Sequence, residues 1–108
     1  MAAEILKSQA DRGMRKELYY FRDQQGLEVD FLVPRPNAKV WLVEAKSAKT
    51  VRPSMASPLT SLQRSLKKRA GRLIVVHRNG RLQVPTAAIA SGVEALALEQ
   101  FVGELLRA

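Results

Sequence analysis

Four consecutive large apolar residues, Val40-Trp41-Leu42-Val43, run into Glu44-Ala45-Lys46. An apolar run without polar alternation suits a strand covered on both faces, so it predicts a strand over Lys39 to Ala45 at the centre of a sheet. Such a sheet needs helices on either side to bury it.

Residues 2–12 are good helix formers, and Gly13 suits a helix stop. Leu18 to Phe21 favours a strand, Gln24-Gln25-Gly26 a tight connection, and Leu27 to Val33 a second strand. Simple alternation points Leu27, Val29, Phe31 and Val33 one way, and Glu28, Asp30 and Leu32 the other. Pro34, Pro36 and Asn37 end this hairpin. Ala48 to Ala56 reads as a loop. Ser57-Pro58 starts a helix, with Ser57 as N-cap, Leu59, Leu62 and Leu66 on one stripe, and Gly71 as its stop. Arg72 to His77 is a further strand, and Asn79-Gly80 predicts a hairpin into Leu82 to Val84. Gly92 to Leu106 reads as a single helix with Val93, Leu96, Ala97, Phe101 and Leu105 on one stripe. The expected order is α-β-β-β-α-β-β-α, a mixed α/β fold in one domain over residues 1–108.

Eighteen Lys and Arg stand against ten Asp and Glu, a net charge of +8. That excess favours a polyanion, with nucleic acid the first candidate; a basic domain without such a partner is the alternative. The absence of cysteine excludes disulfide and thiolate-metal sites and fits a cytoplasmic location. No apolar run is long enough to span a membrane, and no P-loop is present for ATP hydrolysis. The chain begins almost within a helical pattern, which suggests a fragment of a longer protein.

Period-two geometry puts Glu44 and Lys46 on one face of their strand. If the Asp30 strand is its neighbour, two carboxylates and an amine meet. Neighbouring carboxylates repel, and a hard divalent cation such as Mg²⁺, with Mn²⁺ as a substitute, removes that cost. Such a cation polarises phosphate and acidifies water, with Lys46 beside it to orient water or offset charge. Glu4, in the first helix, is a further carboxylate for the site. The competing reading is a solvated strand-end ion pair at Glu44-x-Lys46 and a water-facing Asp30.

Leu18-Tyr19-Tyr20-Phe21-Arg22, Gly26 to Val33 and Trp41 to Ser47 together resemble the C-terminal domain of unknown function found in many prokaryotic AAA+-type ATPases. That domain is similar to PD-(D/E)XK nucleases and archaeal Holliday-junction resolvases. The resemblance spans most of the chain and implies a restriction-endonuclease-like αβββαβ core, a mixed sheet flanked by helices, with an extra C-terminal hairpin strand and helix. It assigns catalytic positions to Asp30, Glu44, Lys46 and Glu4, with Asp30 and Glu44 as metal ligands. Gln63 lies where some nucleases carry a Gln. The proline that names the superfamily is replaced by Val29.

Arg64, Lys67, Lys68, Arg69 and Arg72 read as a basic ridge for phosphate, or as cations that suit a helix C-terminus. Arg22 reads as a phosphate contact or as a partner of Glu28 or Asp30. His77 reads as a strand-end residue rather than a ligand, and Trp41, Tyr19 and Tyr20 as core aromatics, with base stacking as the alternative. The apolar arc of Leu98, Val102 and Leu106 offers contact with a covalently linked ATPase domain or a second copy. Two functions follow. One is a DNA-engaging, Mg²⁺-dependent endodeoxyribonuclease; the other is a non-catalytic DNA-binding or protein-interaction module of the same fold.

Overall fold

The computed structural model describes residues 2–11, 13, 18–36, 38–46, 53–77, 88–90 and 92–106. Helix α1 (Ala2–Asp11) precedes three strands, β1 (Tyr19–Arg22), β2 (Glu28–Pro34) and β3 (Val40–Lys46). A 3₁₀ turn (Pro53–Ala56) runs directly into α2 (Ser57–Leu66), and a second one (Lys67–Arg69) into β4 (Ala70–His77). Two strands, β5 (Ala88–Ala90) and β6 (Val93–Ala97), and helix α3 (Leu98–Leu106) complete the described elements. The sheet has six strands in the order β1-β2-β3-β4-β6-β5. β3, β4 and β6 are mutually parallel neighbours, and the outer pairings are antiparallel. The parallel connection from β3 to β4 carries α2, as such crossovers commonly do.

Both faces of the sheet are buried. On one, Ile5 of α1 and Phe101 and Leu105 of α3 pack with Val33, Val43, Ile74, Val76 and Leu96. On the other, Leu59 and Leu62 of α2 pack with Val29, Leu42, Leu73, Val75 and Val93. The central strand predicted from Val40 to Val43 is thus present, with Leu42 and Val43 buried on opposite sides.

Strand β2 does not alternate simply. Tyr19 pairs with Leu32, whereas Phe21 pairs with Val29, so β2 contains one extra residue between these pairs. Such a bulge resets the side-chain phase. Val29 therefore joins the α2-side cluster and Phe31 and Val33 the opposite one, against the expectation that all three share a face.

Three other expectations change. The 3₁₀ turn makes Ala56, not Ser57, the N-cap of α2, with no capping side chain. A helical turn placed before an α-helix offers carbonyls to N–H groups that a capping side chain would otherwise satisfy. Part of the expected loop over Ala48 to Ala56 is therefore helical; its beginning, like the Asn79-Gly80 turn and Leu82 to Val84, lies outside the described residues. Residues 92–106 do not form one helix. Val93–Ala97 pairs with β4, burying Val93, Ala95 and Leu96, because a parallel site beside β4 covers these side chains on both faces. The helix starts only at Leu98, where Gln100 Oε1 accepts the Ala97 N–H at 2.9 Å, half of a capping box.

Gly71 lies within β4 rather than ending α2. A Cβ there would sit 3.0 Å from Trp41 Cδ1 and 3.3 Å from the Val40 carbonyl oxygen. Trp41 cannot easily yield, because the guanidiniums of Arg35 and Arg72 lie 4.2 Å and 4.9 Å from its ring centre. Gly71→Ala is expected to destabilise the fold by about 1 kcal/mol, despite the entropy it removes from the unfolded chain. Urea denaturation with Trp41 fluorescence checks this.

Candidate functional site

The backbone ladder between β2 and β3 runs from Pro34 opposite Val40 to Phe31 opposite Val43. One residue further on, carboxylates take the place of carbonyls. The Asp30 N–H donates to Glu44 Oε1 at 3.0 Å, and the Ala45 N–H donates to Asp30 Oδ2 at 2.9 Å. Each acid accepts from the backbone of the other strand. Hydrogen bonds to charged acceptors contribute about 1.5–3 kcal/mol each. The bulge makes the exchange possible, since it turns Asp30 out of plain alternation just where the strands part.

Lys46 follows Glu44 on the same face, with Nζ 3.5 Å from Oε2. The Glu44 side chain is only 5% accessible, whereas that of Lys46 is 38% accessible, so the carboxylate is the sealed partner and solvent screens the amine. Burial raises the Glu44 pKa above the usual 4.5, and the nearby Asp30 charge adds to that. The hydrogen bond from the Asp30 backbone and the Lys46 charge act in the opposite direction.

His77 ends β4 in register with Lys46. Leu73 and Val75 of the same strand lie in the α2-side cluster, and alternation carries His77 to that side too. The residue is a strand end, as the sequence suggests, but it is 2% exposed and beside the lysine. Aligning the two apolar runs as parallel neighbours, Val43 with Ile74, would have found it. Glu44, Lys46 and His77 thus cluster at the carboxyl ends of parallel strands, where open α/β sheets commonly place their ligands.

The other predicted residues are dispersed. Glu4 is half-buried in the first turn of α1, beside Ile5 on the α3 side of the sheet. Among the described residues no three His, Asp or Glu side chains are grouped to hold a metal ion, so Glu4 does not complete a triad with Asp30 and Glu44. Arg22 pairs with Glu28 at 3.3 Å, both well exposed, which supports the ion-pair reading. Gln63 is half-buried on α2, and Arg64, Lys67, Lys68 and Arg69 are exposed on and after it.

Arg72 leaves the proposed ridge altogether. Its guanidinium donates to Glu94 at 2.9 Å and 2.6 Å and to Glu104 at 3.2 Å. The hydrogen bond to Glu94 does most to raise its pKa further. The sequence reading also missed Arg35, which is buried over Trp41 and reaches the Leu105 carbonyl of α3 at 3.5 Å. Both arginines serve packing between the sheet and α3.

The fold and site define a mixed α/β domain that carries a buried Glu44, a half-buried Asp30 and a lysine where two antiparallel strands separate. The chain belongs to the family described as "Domain of unknown function (DUF4143)", whose model matches residues 1–101. No curated protein and no solved structure matches it. Among the described residues no helix is long and apolar enough to cross a membrane.

The raised Glu44 pKa sets a pH signature. Above pH 4.5 the folded state holds the Glu44 proton more tightly than the unfolded chain does, so stability attributable to this group falls as pH rises through that window. The stability of the wild type minus that of Glu44→Gln is expected to decrease from pH 4.5 towards neutrality, measured by urea denaturation across pH 4.5–8. An increase over that range would mean that attraction to Lys46 outweighs burial.

Proposed function

We propose that this domain is a nuclease-like module that engages DNA and hydrolyses phosphodiesters with the help of Mg²⁺. The observation that carries the reading is the reciprocal hydrogen bonding of Asp30 and Glu44, with Glu44 buried and Lys46 on its accessible side. Two hard carboxylates, one held above its usual pKa by burial and by the other, form a donor set suited to a divalent cation. A cation held by Asp30 and Glu44 would supply Lewis-acid polarisation of a phosphoryl oxygen and acidify water. Two protein carboxylates suffice for Mg²⁺ when phosphate and water complete its shell.

The roles of the chain's own residues follow from their exposure. Glu44, almost wholly sealed, holds its position through the Asp30 N–H. Asp30, fixed by the Ala45 N–H, adds the second oxygen donor. Lys46, the accessible member, meets the phosphate, where its amine offsets charge and orients water. His77 borders the amine from the next strand. Glu4 stands apart from this assignment as a catalytic group. The resemblance to PD-(D/E)XK nucleases and to the C-terminal domain of AAA+-type ATPases supports the reading, and with it the proposal of a cytoplasmic domain linked to an ATPase.

One observation favours a second reading. Both acids already accept backbone N–H groups, so the constellation also works as a structural substitute for a strand ladder. On that reading the domain binds without cleaving.

Plasmid and branched DNA incubated with Mg²⁺ or Mn²⁺ separate the two. Cleavage is expected to need the metal and to fall at least about a hundredfold in Lys46→Ala and Asp30→Asn. Cleavage that persists in both variants would remove this site from the reaction. No cleavage with either metal, together with retained DNA binding, would establish the binding module.

A further inference from the structure

All of the net positive charge is concentrated in one continuous segment. Between Glu44 and Glu94 the chain carries ten Lys and Arg and no Asp or Glu, while its other eight cations are mixed with all ten acids. Within this segment, α2 and the turn after it present Arg64, Lys67, Lys68 and Arg69, all exposed. Among the described residues none of the four has an ion-pair partner. Arg72, the fifth cation of this stretch, is taken up by Glu94 and Glu104 on the α3 side. Exposed cations therefore gather on α2 and the turn after it, whereas Glu94 lies on β6 and Glu99 and Glu104 on α3.

A helix C-terminus accounts for one or two cations, since the dipole effect fades within the last turn. Four like charges within six residues instead repel one another, and a polyanion relieves that repulsion. Lys67 adds a second, independent mark. Its backbone has φ 52° and ψ −121°, a region that glycine normally occupies. A side chain is held there against its backbone preference, in a turn where all three consecutive residues, Lys67-Lys68-Arg69, remain exposed.

The rest of the exposed surface of α2 limits the partner. Ser57, Ser61 and Ser65 recur one turn apart beside Arg64, small hydroxyls that let a phosphate backbone approach and donate to it. No large exposed hydrophobic residue belongs to α2; among the described residues these are Leu106 of α3 and, against the expectation of core aromatics, Tyr19 and Tyr20 of β1. Single-stranded nucleic acid needs aromatic platforms for its bases, and a protein partner needs an apolar or aromatic anchor. The α2 surface has neither. A duplex needs only cations and hydroxyls on its phosphates.

We infer that the exposed face of α2 and its following turn, Arg64 with Lys67-Lys68-Arg69, docks the phosphate backbone of double-stranded DNA without reading sequence. The same helix covers the sheet face that carries Glu44 and Lys46, so DNA held there lies on the side of the candidate site. The inference deepens the proposed function by naming the docking surface and the strandedness, and it stands even if no bond is cleaved.

The test is fluorescence anisotropy of the full chain with labelled random-sequence duplex and single strands of equal length over a salt series. Duplex binding is expected to be tighter than single-strand binding and to weaken with salt. Replacing Arg64, Lys67, Lys68 and Arg69 by Gln is expected to reduce the log–log salt slope by about 3–4, since each lost phosphate contact removes about 0.9. Lys67→Gly keeps the test clear of folding defects: it is expected to raise the Tm while weakening duplex binding. A raised Tm with unchanged binding, an unchanged slope in the fourfold variant, or preference for single strands overturns the inference. So does equal competition by polyglutamate, which would point to an acidic protein. Duplex binding is measured without added divalent metal, so a failure of cleavage and a failure of docking are read separately.

Discussion

Strands β3 and β4 must be covered on two sides at once. Leu42 and Leu73 face α2 while Val43 and Ile74 face α1 and α3, and all four are essentially inaccessible. A fully buried Val, Leu or Ile contributes about 1.5–3 kcal/mol relative to exposure, so the two apolar runs set the sandwich and every other element is arranged to complete it. The arginines on the α3 side belong to that arrangement. Arg72 joins β4 to β6 and α3, and the guanidiniums of Arg35 and Arg72 both lie over the Trp41 ring.

The candidate site forms where this coverage gives out. Beyond Val43 the strand meets polar residues, and the neighbouring strand has already been shifted out of phase by its bulge. Two carboxylates then do what carbonyls do elsewhere in the ladder. The arrangement has a cost, visible in the raised proton affinity of Glu44. A group that is costly to keep ionised, close to a like charge and a cation, is the kind of group that chemistry uses; it is also the kind that a strand junction uses to hold together. Either use would rest on the same two hydrogen bonds.

Charge is distributed as unevenly as hydrophobicity. The segment from Ala45 to Val93 passes through the site, over the sheet in α2 and back through β4 without meeting an acid. The anionic residues that balance the rest of the chain include those on the side where Arg72 is held. One face is thereby left with an electrostatic character that the composition alone, a modest excess of Lys and Arg, does not locate.

Much of this was legible beforehand. Val40 to Val43 announced a central strand because continuous apolar sequence has few other solutions, and period two placed Glu44 with Lys46 because alternation holds wherever a strand is regular. Simple alternation breaks between Val29 and Phe31 for the same reason in reverse: one extra residue between the Phe21–Val29 and Tyr19–Leu32 pairs switches the later side chains to the other face, and no local composition marks it. Residues 93–97 suit a helix by spacing, yet pair as a strand because burial against β4 outweighs a weak intrinsic preference. Arg72 looked like surface charge until Glu94 and Glu104, distant in sequence, were brought to it. Local pattern determined which segments are apolar and which residues share a regular strand; register, strand-or-helix choice at the margin, and the partners of each charge were decided by contacts between segments far apart along the chain, whose energies no local window contains.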